Sequence, residues 1–234
     1  MRSAFIRGLW GVPRPDAPTN ELKTRVSVVP EIQNWERDSK GIPFQTYAFG
    51  TENKALLTSV KIDAKLLDER PEVFDNVTKM WRHKIEIIRR ALDDFDEVIW
   101  LDWDCIPVKS LPPDFWARIA SGQPYKACLK MHKHTHCRWR SDYEHQRYLP
   151  SGGFVYIRGA DTADWLIRCF DGLGWERASD EDAMGKLGDE ILGGWKGAME
   201  YCLNFEPYCC STKRCSCCPE EIRSKKTDVF RHVS

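Results

Sequence analysis

A layered α/β fold with a mostly parallel central sheet is the architecture this sequence predicts, on three observations. Glu97-Val98-Ile99-Trp100-Leu101 is an apolar run of the kind that forms a strand buried on both faces. Just before it, Lys79–Phe95 carries Trp81, Ile85, Ile88 and Leu92 at helical spacing, with Arg82, Lys84, Arg89 and Arg90 at polar positions. Strand-like and helix-like patterns then alternate along the chain, which is how a sheet becomes covered by helices.

In chain order, Ser3–Arg7 reads as a short strand, stopped by Gly8-Leu9-Trp10-Gly11 and a run containing Pro13, Pro15 and Pro18. Phe44–Phe49 is a second strand, with Tyr47 and Phe49 in it and Gly50 ending it. After the helix at 79–95 and the buried strand at 97–101, Pro112–Ala120 reads as a short helix, Tyr125–His132 as a strand and Gly153–Ile157 as another buried strand. Ala163–Phe170 and Asp182–Leu187 read as helices. Residues 1–200 make one domain on this reading. Residues 201–234 show no clear period and form a cysteine-rich appendage packed on it.

The chain has 234 residues, and its 35 Lys+Arg are matched by 35 Asp+Glu. That neutrality argues against a protein whose main task is coating nucleic acid or an anionic membrane. With 42% hydrophobic and 30% charged residues, extensive disorder is excluded. No stretch reaches the roughly 20 apolar residues of a membrane-spanning helix. Arg7 interrupts the N-terminal segment where a signal peptide needs its apolar centre. The expectation is a soluble, cytoplasmic protein without a membrane anchor.

The chemistry concentrates at the end of the buried strand, in Trp100-Leu101-Asp102-Trp103-Asp104. Residues i and i+2 of a strand project together, so Asp102 and Asp104 face one space at a strand end, where open α/β sheets place ligands. Two close carboxylates repel, and a divalent cation that favours oxygen donors removes the conflict.

The segment from Arg82 to Pro112, with helix, buried strand and D-x-D in that order, resembles the core of GT-A-type nucleotide-sugar glycosyltransferases. The resemblance implies a GT-A-like α/β/α fold and transfer of a sugar from a nucleotide-sugar donor to an acceptor hydroxyl, dependent on Mn²⁺ or Mg²⁺. It gives Asp102 a contact with the nucleotide ribose or the metal, and Asp104 a metal-ligand role. Arg82 and Lys84 resemble basic positions that reach toward the nucleotide. Arg7 and Gly8 stand where the family's nucleotide-binding loop follows the first strand, although the spacing is neither G-x-G-x-x-G nor a P-loop. Gly152 and Gly153, in Pro150-Ser151-Gly152-Gly153-Phe154, resemble the small-residue turn beside the donor sugar, with Ser151 where many relatives carry Asn. Asp180-Glu181-Asp182-Ala183-Met184 resembles the family's D-[EQ]-D-A-L stretch better than Asp189-Glu190 does. Asp180 and Glu181 are therefore the candidate general bases of an inverting reaction, worth on the order of 10²–10⁴ in rate. A retaining enzyme would need no such base. His232 resembles the C-terminal histidine that serves several members as an additional metal ligand.

Two features lie outside that pattern. Lys130, His132, His134 and His136 alternate along one run, and Arg138, Trp139, Arg140, Tyr143 and Arg147 extend it into a basic–aromatic strip. Such a strip suits a polyanionic, stackable acceptor, such as a hydroxylated DNA base in a phage or virus setting. Cys202, Cys209, Cys210, Cys215, Cys217 and Cys218 form a patch with a single C-x-x-C. It could enclose a structural Zn²⁺, with free thiols as the simpler state. Two other functions compete: a sugar-phosphate nucleotidyltransferase, for which Gly8–Pro13 is a poor loop, and a non-catalytic metal- or nucleic-acid-binding module built on the cysteines.

Overall fold

A computed structural model describes residues 1–10, 42–59, 61–68, 77–103, 105–107, 110–131, 148–173, 179–192 and 230–232. Six strands form the main sheet: β1 (Ser3–Leu9), β2 (Phe44–Phe49), β3 (Ala64–Asp68), β4 (Glu97–Leu101), β6 (Tyr125–Met131) and β7 (Tyr148–Arg158). Their order is β3-β2-β1-β4-β7-β6. β1 pairs in parallel with β2 and with β4, and β2 with β3. β7 runs antiparallel to both β4 and β6, so it alone is reversed. The helices are α1 (Thr51–Ser59), α2 (Val77–Ala91), α3 (Phe115–Ala120), α4 (Ala160–Asp171) and α5 (Asp180–Leu192). A two-stranded ribbon pairs β5 (Cys105–Pro107) with β8 (Phe230–His232). The mostly parallel α/β sheet expected from the sequence is the one observed.

Strand alternation sorts the core into two layers. Ile6, Tyr47, Val98, Trp100, Val155 and Ile157 face α2, α4 and α5, where Ile85, Ile88, Leu166 and Met184 meet them. Phe5, Ile99, Leu101, Phe154 and Tyr156 face the other way, onto Phe115 and Ile119 of α3. Leu57 of α1 packs with Leu9, Ala48 and Trp103. All five residues of β4 are buried, as a strand covered on both faces requires. Gly8 is a consequence of this packing: a Cβ there would overlap Cδ1 of Ile87, so glycine lets α2 lie close against β1. Salt bridges Arg82–Asp171 (2.9 Å) and Arg89–Asp164 (2.7 Å) tie α2 to α4 at their outer faces.

Several elements depart from the sequence expectation, among them a short strand, β8, inside the aperiodic C-terminal stretch. β1 continues to Leu9, because the Gly8 that reads as a stop is paired in the strand opposite Tyr47. α1 and β3 carry little periodic signal: α1 is TENKALLTS, with only Asn53 and Leu57 buried. β7 begins at Tyr148, before the two glycines. Among the described residues, no helix is long and apolar enough to cross a membrane.

Candidate active site

The chain runs outward from β1 to β2 and β3, then returns to β4 on the other side of β1. The strand order therefore reverses between β1 and β4, and the carboxyl ends of those two strands are the usual ligand position in an open α/β sheet. Ile6 pairs with Trp100, which brings Gly8 level with Asp102, the first residue past β4.

Asp102 is fixed from two sides. Its N–H donates to the Gly153 carbonyl at 3.0 Å, extending the β4–β7 ladder by one residue. Trp100 Nε1–H donates to its Oδ1 at 2.6 Å. Trp100 precedes Asp102 by two, so strand alternation sends both toward α2. That indole is the site residue the sequence reading passed over, and its signal was the same i, i+2 rule that paired Asp102 with Asp104.

Lys84 enters from the middle of α2 with its side chain 2% exposed. Its Nζ lies 3.0 Å from Asp102 Oδ1 and 2.8 Å from Asp180 Oδ2, and donates to the Gly152 carbonyl at 3.2 Å. Burial alone would lower the Lys84 pKa. The charges of Asp102 and Asp180, with hydrogen bonds to both, outweigh it and hold the pKa above the ordinary lysine value. Asp180 is equally buried, whereas Asp102 keeps about a third of its side chain exposed. The corner thus joins a buried ion pair to a carboxylate open on one side.

The first turn of α5 divides its three acids among separate tasks. Ser179 N–H and Oγ–H donate to Asp182 Oδ2 at 2.9 and 2.7 Å, and Asp182 N–H donates to Ser179 Oγ at 3.3 Å. This reciprocal cap sets where the helix starts. Asp180 is left to pair with Lys84, and Glu181 Oε1 accepts the Gly152 N–H at 3.1 Å. Gly152 has no room for a side chain: a Cβ would sit 2.5 Å from Asp180 Oδ2 and 2.9 Å from Lys84 Nζ.

Lys84, Asp102, Gly152, Gly153, Asp180 and Glu181 therefore come together, although four separate elements carry them. Arg82 does not join them; its Nε lies against Asp171 on the α2–α4 surface, and it also pairs with Glu86. Arg7 is buried with its guanidinium 4.1 Å from the Trp103 ring and 5.0 Å from that of Phe44, and its Nε–H donates to Thr46 Oγ1 at 3.3 Å. The Gly8 carbonyl accepts from Trp103 Nε1–H at 2.9 Å. In this structure Arg7 and Gly8 anchor the turn that carries Asp102.

β4 ends at Leu101, its ladder reaches one residue further to Asp102, and Trp103 lies in a turn, so the pairing expected of Asp102 with Asp104 does not follow from strand pitch. Asp104 lies outside the described residues. β8 places the backbone of His232 opposite Cys105, which brings position 232 alongside the residue that follows 104. Among the described residues, no three His, Cys, Asp or Glu side chains are grouped to hold an ion. By residue type, the expected ligands Asp102, Asp104 and His232 would offer oxygen and imidazole donors of the kind Mg²⁺ or Mn²⁺ accepts. The histidines and arginines of the basic–aromatic strip from His132 to Arg147, and all six cysteines of the C-terminal patch, lie outside the described residues.

Fold and site together define an α/β protein with a cluster of charged side chains at the switch point of its sheet. No protein-family model matches the sequence, and no curated protein matches it. Among solved structures, one similar chain is a glycosyltransferase involved in the glycosylation of the major capsid of PBCV-1. It shares 9% identity at a TM-score of 0.48, over 99% of this chain and 92% of that one. A likeness of that size decides neither fold nor chemistry.

Proposed function

We propose that this protein is a divalent-metal-dependent glycosyltransferase that moves a sugar from a nucleotide-sugar donor to an acceptor hydroxyl. The observation that carries the reading is the convergence of Asp102, Lys84, Gly152 and the Asp180–Glu181 pair at the carboxyl end of β4, beside β1. A buried cation beside a partly exposed carboxylate at a switch point suits a ligand that carries phosphate charge.

Asp102, Asp104 and His232 are the residues that would hold the metal, whose chemistry is to neutralise charge on the departing diphosphate. Lys84 supplies a fixed positive charge in the same corner, held in place before any substrate arrives. The close approach enforced at Gly152 leaves backbone, rather than side chain, facing the cluster, and Gly153 holds Asp102 through the ladder. Of the two candidate bases, Glu181 is the better placed for an inverting reaction. Asp180 is buried and its carboxylate is occupied by Lys84 at 2.8 Å, whereas Glu181 is only partly buried and hydrogen-bonded to a neutral amide.

A thermal-shift panel of nucleotide sugars, with and without Mn²⁺, tests the reading, because a ligand bound only by the native state raises its melting temperature. Stabilisation by nucleotide sugars with Mn²⁺ is expected, and stabilisation by nucleoside triphosphates alone would assign nucleotidyl transfer instead. Asp104→Ala is expected to abolish metal-dependent turnover with the melting temperature preserved; full turnover in that variant refutes the assignment. The acceptor reading, a hydroxylated DNA base, is tested by salt-dependent binding to duplexes carrying hydroxymethylated bases.

A further inference from the structure

Asp102 stands at the end of β4 already engaged. Its Oδ1 takes the Trp100 indole N–H at 2.6 Å and the Lys84 ammonium at 3.0 Å. That ammonium has little freedom to withdraw. It is buried, paired with Asp180 at 2.8 Å, bonded to the Gly152 carbonyl at 3.2 Å, and has the rings of Trp81 and Trp100 at 5.6 and 5.5 Å. The helix that carries it is held to α4 by two further ion pairs. Any cation arriving at Asp102 therefore meets a fixed positive charge next to the same carboxylate, in a setting where burial weakens screening.

We propose that Lys84 is a built-in counter-cation that makes Asp102 a poor ligand for a free divalent ion, so that metal and diphosphate are taken up together. This rests on the glycosyl-transfer reading above and specifies the order in which that site fills. A diphosphate brings negative charge to both the metal and Lys84, turning a repulsive pair of cations into two partners of one anion. Asp180 sets the strength of the effect, because it shares the Lys84 charge with Asp102; Glu181, the other acid at this corner, is turned to the Gly152 amide.

The test is Mn²⁺ binding to the intact protein by equilibrium dialysis, which counts the ion retained with the protein over that complexed in solution, with and without inorganic pyrophosphate or a panel of nucleoside diphosphates. The wild type is expected to bind Mn²⁺ at least about tenfold more weakly alone than with a diphosphate. The double variant Lys84→Met/Asp180→Asn removes the buried cation together with its buried partner. It is expected to bind Mn²⁺ alone about tenfold more tightly than the wild type, with most of the diphosphate dependence gone. Asp180→Asn by itself leaves Lys84 to Asp102 and should bind Mn²⁺ alone no more tightly than the wild type. Equal wild-type affinity with and without diphosphate, or no gain in a folded double variant, overturns the coupling and leaves glycosyl transfer standing. Failure of every protein to bind Mn²⁺ with any diphosphate overturns both. The wild-type comparison is decisive even if the double variant does not fold.

Discussion

Two lysines of this protein are equally buried, each 2% exposed, yet the sheet treats them in opposite ways. Lys84 stands past the carboxyl end of β4, between two carboxylates, and is held charged. Lys126 lies on the opposite face, level with the middle of β4, because it pairs with Tyr156, which pairs with Ile99. Its Nζ–H groups donate to the Ile119 and Ser121 carbonyls at the end of α3, while Arg158 donates to the Ala120 and Gly122 carbonyls. Burial, aided by Arg158 and only partly opposed by Glu97, pushes the Lys126 pKa down to about 8. Equal burial thus has different electrostatic outcomes. A cation among carbonyls caps a helix end; a cation among carboxylates is a charge stored at the ligand edge of the sheet.

The comparison is broken most directly by removing each charge. Lys84→Met strands Asp180 in the interior without its cation, which costs about 3–5 kcal/mol. Lys126→Met leaves the Ile119 and Ser121 carbonyls without their donor and should cost about 1–3 kcal/mol. Urea denaturation at pH 7 measures both. The contrast fails if Lys126→Met is the more damaging of the two, or if adding Asp180→Asn to Lys84→Met restores no stability.

Alkaline pH sharpens it, because the two shifts have opposite signs. For Lys126 the folded pKa, about 8, lies below the ordinary lysine value of 10.5. Between those values the unfolded chain keeps the proton and the folded chain has lost it, so this residue's contribution to stability rises with pH. The gain is roughly 2–3 kcal/mol across that window. For Lys84 the folded pKa is raised, so its contribution is complete below 10.5 and declines only above it. Stability measured from pH 8 to 10 should therefore rise in the wild type relative to Lys126→Met. A constant difference between the two proteins across that range would show that Lys126 does not titrate there.

Much of this could be seen in the sequence, and the reasons differ by region. β4 and α2 were legible because burial on both faces and helical amphipathicity each leave a pattern. α1 was not, since a nine-residue helix that buries Asn53 and Leu57 shows no apolar stripe. In the candidate site, Lys84, Asp102, Gly152 and the Asp180–Glu181 pair all stood out, but as separate signals. Their meeting at one point depends on β7 running antiparallel beside β4, a long-range pairing that local pattern does not encode. Arg7 and Arg82 illustrate the same gap. Residue type and position suggested a ligand role for each, while tertiary packing turned one toward Trp103 and the other toward Asp171.

A smaller perturbation separates the charge of the corner from its framework. Trp103 holds the turn after Asp102 by donating Nε1–H to the Gly8 carbonyl at 2.9 Å, and its ring lies under the Arg7 guanidinium. Trp103→Phe keeps an aromatic face for Arg7 and removes the donor, leaving one buried carbonyl with a lost bond. The expected cost is about 1 kcal/mol, well under that of Lys84→Met, because no charge is stranded. If metal is bound through residues 102 and 104, loosening this turn should still weaken Mn²⁺ binding in the presence of pyrophosphate. A stability loss near that of Lys84→Met would mean that the turn, rather than the buried cation, is what this end of the sheet depends on.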